Sequence, residues 1–142
     1  MKEENILKDK SVAFAKKTVK MGKFLLAKMS IPEQPLCTQA LKSGTSIGAN
    51  IREAEFAESK EDFKHKLKIA LKEANETEYW LDILFSGEYI GENQYNGMIT
   101  DCKELIKILT SIINTLNNNN KPDYQFPIAV VYVERFKSRP TK

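Results

Sequence analysis

The chain has few of the residues that catalysis and metal binding require. Of its 142 residues only one is a histidine, His65, and only two are cysteines, Cys37 and Cys102. Their spacing matches no metal-ligand motif. His65 stands among lysines on a predicted helix, which favours a solvated surface residue over a catalytic base. Because nucleophile–base pairs are also missing, we expect no enzymatic activity, no bound metal and no cofactor.

Long apolar runs are missing as well. The longest ones fall far short of the ~20 residues that span a bilayer. The first ten residues, MKEENILKDK, contain acidic side chains and no apolar signal-peptide region. We therefore expect a cytoplasmic protein without a membrane contact. Each cysteine falls on the apolar side of a predicted helix, which predicts buried free thiols rather than a disulfide.

Neither sign of charge is in large excess over the whole chain, but the positive charges are unevenly distributed. The formal net charge is +3, with 42% hydrophobic and 29% charged residues, as in an ordinary single globular domain. Residues 1–29 carry eight lysines against three acids, and residues 121–142 carry five basic residues against two acids. Positive potential is therefore concentrated in the first helix and the tail.

The stretch from Leu36 to Ala57 predicts the central packing helix of the protein. Apolar or small residues recur there at alternating steps of three and four, the spacing of one helical face: Cys37, Ala40, Gly44, Ile47, Ile51 and Ala54. A glycine inside a helix costs roughly 1 kcal/mol relative to alanine. Two of them, Gly44 and Gly48, therefore indicate that another helix approaches closely along this face.

A polar flank adjoins this face, formed by Ser43, Ser46, Asn50 and Glu53. Together with Gly44 and Gly48 it is a candidate packing interface. One interpretation is a satisfied polar network at a helix or subunit contact, because buried polar groups need partners. The other is a groove for a protein or nucleic-acid partner. We favour the first.

Three further helices are predicted. The first runs from about Asn5 to Met29, with Val12, Ala15, Val19, Gly22, Leu26 and Met29 as its expected seam, widened by Leu7, Phe14, Met21 and Leu25. The third follows the capping-box pattern Ser59–Asp62 and stops at Gly87. The fourth spans roughly Glu92 to Leu116. The economical fold is all-α, an up-down-up-down four-helix bundle over residues 1–117.

The segment 118–142 is predicted to be a linker followed by an extended, basic tail. Ile128–Val133, IAVVYV, is the one convincing strand segment, and its apolar residues on both faces require partners. We expect a C-terminal arm that docks on the bundle or adds to a strand of another chain.

Lysines of the first helix fall on the arc opposite its apolar side. At ~100° per residue this arc contains Lys10, Lys16, Lys17, Lys20 and Lys23. A solvated face explains most such arcs. The alternative is a phosphate-binding stripe that binds RNA or DNA with little sequence selectivity, supported by the tail cations Arg135, Lys137 and Arg139.

Several long motifs resemble one known family. Lys42–Ala54, KSGTSIGANIREA, is similar to the signature of the four-helix-bundle proteins of 23S rRNA intervening sequences. Ser59–Phe63, Leu67–Ala74 and Glu104–Ile113 are similar to its third and fourth helices. The resemblance covers about residues 5–116. Lys42 stands where the family often has arginine, so this chain lacks a bidentate guanidinium at that position.

The resemblance implies a homopentameric ring of four-helix protomers with an open centre. It also implies kinship with the accessory proteins of diversity-generating retroelements, which are basic, bind nucleic acid and associate with a reverse transcriptase. We therefore expect a non-catalytic oligomeric scaffold that binds nucleic acid through the lysine arc. The alternative is a protein-interaction adaptor, for example for a reverse transcriptase, with no direct nucleic-acid role.

Overall fold

The computed structural model describes residues 4–118, and these residues form four helices. They are α1 (Glu4–Leu26), α2 (Gln34–Glu55), α3 (Lys60–Ser86) and α4 (Glu92–Asn118), with a short 3-10 turn at Ile31–Glu33. Each helix packs on the next in the chain, and α4 also contacts α1. The predicted all-α four-helix bundle is confirmed. The predicted C-terminal arm lies outside the described residues.

Local side-chain chemistry sets the boundary between α2 and α3. The backbone N–H of Asp62 donates to Ser59 Oγ at 3.0 Å, and Asp62 Oδ2 accepts from the N–H of Glu58 at 3.2 Å. The first bond satisfies an amide of the first turn of α3 that has no partner within the helix, and the second ties the residue before the N-cap to the same turn. At the other end of α3, Gly87 donates to the carbonyl of Ile83 at 2.9 Å. The predicted start and stop of α3 are therefore confirmed.

The core consists of one apolar stripe from each helix. Every member of the predicted seam of α2 is buried, from Cys37 to Ala54. The apolar stripes of α3 and α4 are buried as well, with Phe63, Leu67 and Leu109 fully inaccessible. None of the helices within residues 4–118 is long and apolar enough to cross a membrane.

The predicted seam of α1 is wrong at four of its six positions, whereas the four residues predicted to widen it, Leu7, Phe14, Met21 and Leu25, are all buried. The buried row also contains the seam members Gly22 and Met29 and two hydroxyl residues that were not predicted, Ser11 and Thr18. The predicted row is half-buried or exposed at four positions: Val12, Ala15, Val19 and Leu26. Ser11 and Thr18 enter the core because each hydroxyl donates to a carbonyl of its own helix at 2.8 Å. Such internal bonds remove most of the cost of burying a hydroxyl.

Glycines bring α1 and α2 into close contact. A Cβ built on Gly44 would lie 2.7 Å from Thr18 Cγ2, and one on Gly48 would lie 3.3 Å from Ser11 Oγ. From the other side, a Cβ on Gly22 would meet Leu41. The close helix contact predicted along this face of α2 is confirmed.

Both cysteines are free and buried, as predicted. Cys102 Sγ donates to the carbonyl of Ala74 at 3.2 Å. Burial, reinforced by the nearby carboxylates of Glu78 and Asp82, raises the pKa of Cys102 to about 12. Burial also raises the pKa of Cys37. Both thiols are therefore protonated at neutral pH and are poor nucleophiles.

Candidate nucleic-acid interface

The structure divides the predicted lysine arc of α1 into two rows. The first row faces α4, where Lys10 Nζ lies 2.8 Å from Glu104 Oε1 and Lys17 Nζ lies 2.6 Å from Asp101 Oδ2. These two pairs link the helices that are furthest apart in the sequence. Their positive charge is therefore largely neutralised by carboxylates of the same chain.

The second row, which we name the outer lysine row, consists of Lys16, Lys20 and Lys23. All three side chains are exposed, and none forms an ion pair with another residue of the range 4–118. At ~100° per residue they fall within about one-sixth of the helix circumference. The unpaired positive charge of α1 is therefore concentrated in a narrow strip.

A groove runs between α1 and α2 on one side of the outer lysine row. Its volume is about 640 Å³, and it is lined by Val12, Ala15, Lys16, Val19, Thr45, Gly48, Ala49, Arg52 and Glu53. The groove exists because the half-exposed apolar row of α1 faces small residues of α2. Arg52 is exposed and forms no ion pair within residues 4–118, so it adds a cation that the lysine periodicity did not predict.

A second groove runs between α1 and α4 on the other side of the row. Its volume is about 410 Å³, and it is lined by Lys17, Lys20, Met21, Phe24, Asn93, Gln94, Gly97 and Met98. Phe24 is 48% exposed, an unusual position for a large aromatic side chain. The ammonium of Lys28 lies 3.9 Å from the centroid of its ring, a cation–π contact. Sequence periodicity gave no indication of Phe24 as a site residue.

The polar flank of α2 binds mainly to its own helix. Ser46 Oγ donates to the Lys42 carbonyl at 2.6 Å, and Asn50 Nδ2 donates to the Ser46 carbonyl at 2.8 Å. In the same way, Ser43 Oγ donates to the Ala40 carbonyl of the preceding turn at 3.4 Å. No buried side-chain nitrogen or oxygen in the described part of the chain lacks a partner. The flank therefore presents satisfied groups rather than free hydrogen-bonding capacity.

Glu53 is the member of this flank that reaches another helix. Its Oε2 lies 3.0 Å from Lys66 Nζ of α3. The hydrogen bond to Glu53 and its charge raise the pKa of Lys66, so the ammonium form is maintained. The Glu53 side chain is exposed and that of Lys66 is half-buried at the surface, and ion pairs of this kind contribute little to stability.

No group of three or more His, Cys, Asp or Glu residues within residues 4–118 is placed to hold a metal ion. His65 is exposed on α3. Burial and the neighbouring Glu76 raise the pKa of Glu73, while Lys42 and Lys72 act in the opposite direction. The tail cations Arg135, Lys137 and Arg139 lie outside the described residues.

These features define a small four-helix-bundle protein with a cationic strip on its first helix. Comparison with family models identifies the particular family, because the 23S rRNA-intervening sequence protein model matches residues 3–111. This match covers most of the chain. The protein therefore belongs to the 23S rRNA-intervening sequence protein family, as the motifs of α2, α3 and α4 predicted.

A solved structure supports the same assignment. It is that of a protein with unknown function from the S23 ribosomal protein family of Bacteroides thetaiotaomicron VPI-5482. This relative is 52% identical, with a TM-score of 0.73, and the match covers 78% of this chain and 100% of that chain. A search of curated proteins finds no match. The family model ends at residue 111, within α4.

Proposed function

We propose that the protein is a non-catalytic scaffold that binds nucleic acid through the outer lysine row. The observation that carries this proposal is the separation of paired from unpaired lysines on α1. Lys10 and Lys17 are paired with carboxylates of α4, whereas the ammonium groups of Lys16, Lys20 and Lys23 are exposed and unpaired within the described range. Three unpaired cations in a narrow strip attract a polyanion.

Lysine ammonium groups contact phosphates without reading bases. Binding through this strip releases condensed counterions and therefore depends strongly on salt, while sequence selectivity is low. The tail residues Arg135, Lys137 and Arg139 are proposed to add to this cationic surface. The kinship with basic accessory proteins of retroelements, which the family resemblance implies, is a further reason to propose nucleic-acid binding.

The salt dependence of binding tests this proposal. We expect the full chain to bind both RNA and DNA. The affinity is expected to fall roughly twenty-fold between about 50 and 200 mM salt if each protomer makes about three phosphate contacts. Fluorescence anisotropy with labelled oligonucleotides of two unrelated sequences measures this effect. The two sequences are expected to give similar dissociation constants, because phosphate contacts carry no base information.

Two outcomes would contradict the proposal. One is the absence of binding at low salt, and the other is an affinity that does not change along the salt series. A dissociation constant that differs greatly between the two sequences would show that base contacts, rather than the lysines, dominate.

We further propose that the protein assembles into a homopentamer, as the family resemblance implies. The surface assigned to the neighbouring copy is the groove between α1 and α2. Val19 in this groove is 45% exposed although it is apolar, and no described residue of the same chain covers it. Contact with a second copy would remove this side chain from water, which is favourable. A ring repeats the outer lysine row, so that several weak phosphate contacts act together.

Light scattering tests this assembly. We expect a mass of about 81 kDa, five times that of the 16.2 kDa chain. Val19→Glu is expected to lower the mass to that of smaller species, because the burial of a carboxylate in an apolar contact is costly. Thr100→Glu, at an exposed position of α4, serves as the control and is expected to leave the mass unchanged. A wild-type monomer or dimer would refute the pentamer, and an intact Val19→Glu pentamer would exclude this groove as its interface.

The α1–α2 groove also favours a second candidate function, that of a protein-interaction adaptor. In this case the groove binds another polypeptide, for example a reverse transcriptase, and the lysines have no direct role with nucleic acid. A polypeptide that is captured by the full chain and stays bound after nuclease treatment would favour the adaptor. Loss of the captured material on digestion would favour the nucleic-acid scaffold.

A further inference from the structure

We propose that the groove between α1 and α4 is a stacking site for one unpaired base, so that the protein prefers single-stranded nucleic acid to duplexes. This inference rests on the proposed function, because the phosphates beside that base must bind the lysines of α1. It goes further by naming the form of nucleic acid that is bound and the side chain that contacts the base.

Phe24 provides the stacking surface. About half of this residue is exposed, and it borders the groove together with Lys20 of the outer lysine row and Lys17, whose charge is paired with Asp101. An aromatic side chain among cations is the combination by which many proteins hold single strands, since bases stack on the ring while phosphates contact the charges. The groove volume of about 410 Å³ lies within the range of small-ligand sites, which is about 300–1,000 Å³.

The charges around Phe24 determine which side the phosphate chain follows. Phe24 also borders a further cavity that is distinct from both grooves and is lined in part by Glu33 and Glu88. Lys28, which lines this acidic cavity and not the α1–α4 groove, lies over the ring. Carboxylates repel phosphates, so the strand is expected to run along Lys20 and the rest of the outer lysine row rather than towards Glu33 and Glu88.

The far wall of the groove contains groups that suit a base. Asn93 and Gln94 of the first turn of α4 line it, and their amides offer both donors and acceptors to the edges of a base. The backbone amides at the start of a long helix also carry partial positive charge. The proposal rests on the Phe24 ring and the lysines, and these two features of α4 add further contacts for a bound base.

A base inside a duplex cannot use this site. Both faces of such a base are already stacked on neighbouring bases. A face becomes available to Phe24 only when the base is flipped out of the duplex, which costs a few kcal/mol. A single strand pays a much smaller cost. The site therefore predicts tighter binding of single strands, although a duplex offers a higher density of phosphates.

Anisotropy titrations with matched probes test this inference. The probes are an unstructured single strand, as DNA and as RNA, and the duplex of the same sequence, at one salt concentration. We expect Phe24→Ala to weaken single-strand binding about five-fold or more, the lower end of the effect of losing one stacked base. Duplex binding is expected to be unchanged, which also shows that the variant is folded. Phe24→Trp is expected to retain single-strand binding.

Phe56→Ala is the matched control. Phe56 is 80% exposed and follows α2, outside both grooves that flank the outer lysine row. We expect this variant to bind both probes as the wild type does. Equal affinity for the two probes, or no effect of Phe24→Ala, would overturn the stacking site while the nucleic-acid scaffold stands. Absence of binding to any probe would overturn both proposals.

Discussion

Replacement of Lys16, Lys20 and Lys23 by glutamate is expected to weaken nucleic-acid binding roughly a hundredfold or more. Each unit-charge contact at about 4 Å in water contributes about 1 kcal/mol, so three lost contacts come to about 3 kcal/mol. The glutamates also repel the phosphates, which lowers the affinity further. Because the three lysines form no ion pair within residues 4–118, the bundle is expected to retain its thermal stability.

A second triple variant separates the position of these charges from their number. Lys68, Lys72 and Lys107 are also exposed, on α3 and α4. Their exchange for glutamate subtracts two charges at each site and changes the formal net charge from +3 to −3, as in the first variant. We expect this control to bind much more tightly than the first variant in anisotropy titrations. Equal losses in the two variants would mean that net charge, rather than the outer lysine row, determines binding.

The largest effect on stability is expected from Gly44→Val. The Cβ alone would lie 2.7 Å from Thr18 Cγ2 and 2.9 Å from its Oγ1, and valine adds two methyl groups. Thr18 cannot easily rotate away, since its hydroxyl donates to the Phe14 carbonyl at 2.8 Å. Overpacking of this kind costs about 3 kcal/mol at the upper end of the usual range. Urea denaturation followed by far-UV circular dichroism at one fixed protein concentration measures the loss.

Two other glycines provide controls for this variant. A Cβ on Gly97 of α4 would have no described atom within 4 Å, so Gly97→Val is expected to keep the stability of the wild type or to raise it slightly. Gly48→Ala would place its Cβ 3.3 Å from Ser11 Oγ. The gain in helix propensity then offsets a small displacement, and we expect a change within about 1 kcal/mol. A stability of Gly44→Val equal to that of Gly97→Val would contradict the close contact of α1 and α2.

The sequence predicted α2, α3 and α4 well because their buried positions are mostly apolar or very small. In these helices the 3.6-residue period of hydrophobicity coincides with the core-facing stripe. On α1 the two differ. Ser11 and Thr18 face the core, whereas Val12 is half-buried and Val19 is exposed, so hydrophobicity alone predicted only part of the buried face correctly. The hydrogen bonds that allow this arrangement depend on backbone carbonyls, which a hydropathy pattern does not represent.

The candidate site was only partly predictable for a related reason. The helical period correctly placed the five lysines on one side of α1, but it could not show which of them meet carboxylates of another helix. Asp101 and Glu104 are more than 80 positions away in the chain and become neighbours of Lys17 and Lys10 only in the folded bundle. Phe24 and Arg52 likewise become candidate site residues only because they line grooves between helices, which exist only in the folded bundle.

The protonated, buried thiols of Cys37 and Cys102 have a practical consequence. Maleimide dyes react with accessible thiolates, and the native state offers neither exposure nor thiolate at these two positions near neutral pH. A cysteine placed on the surface is therefore the preferred target for a fluorophore or spin label, and both native cysteines can stay in place. Distances between labelled positions of the bundle thereby become accessible to spectroscopy with the core left unaltered.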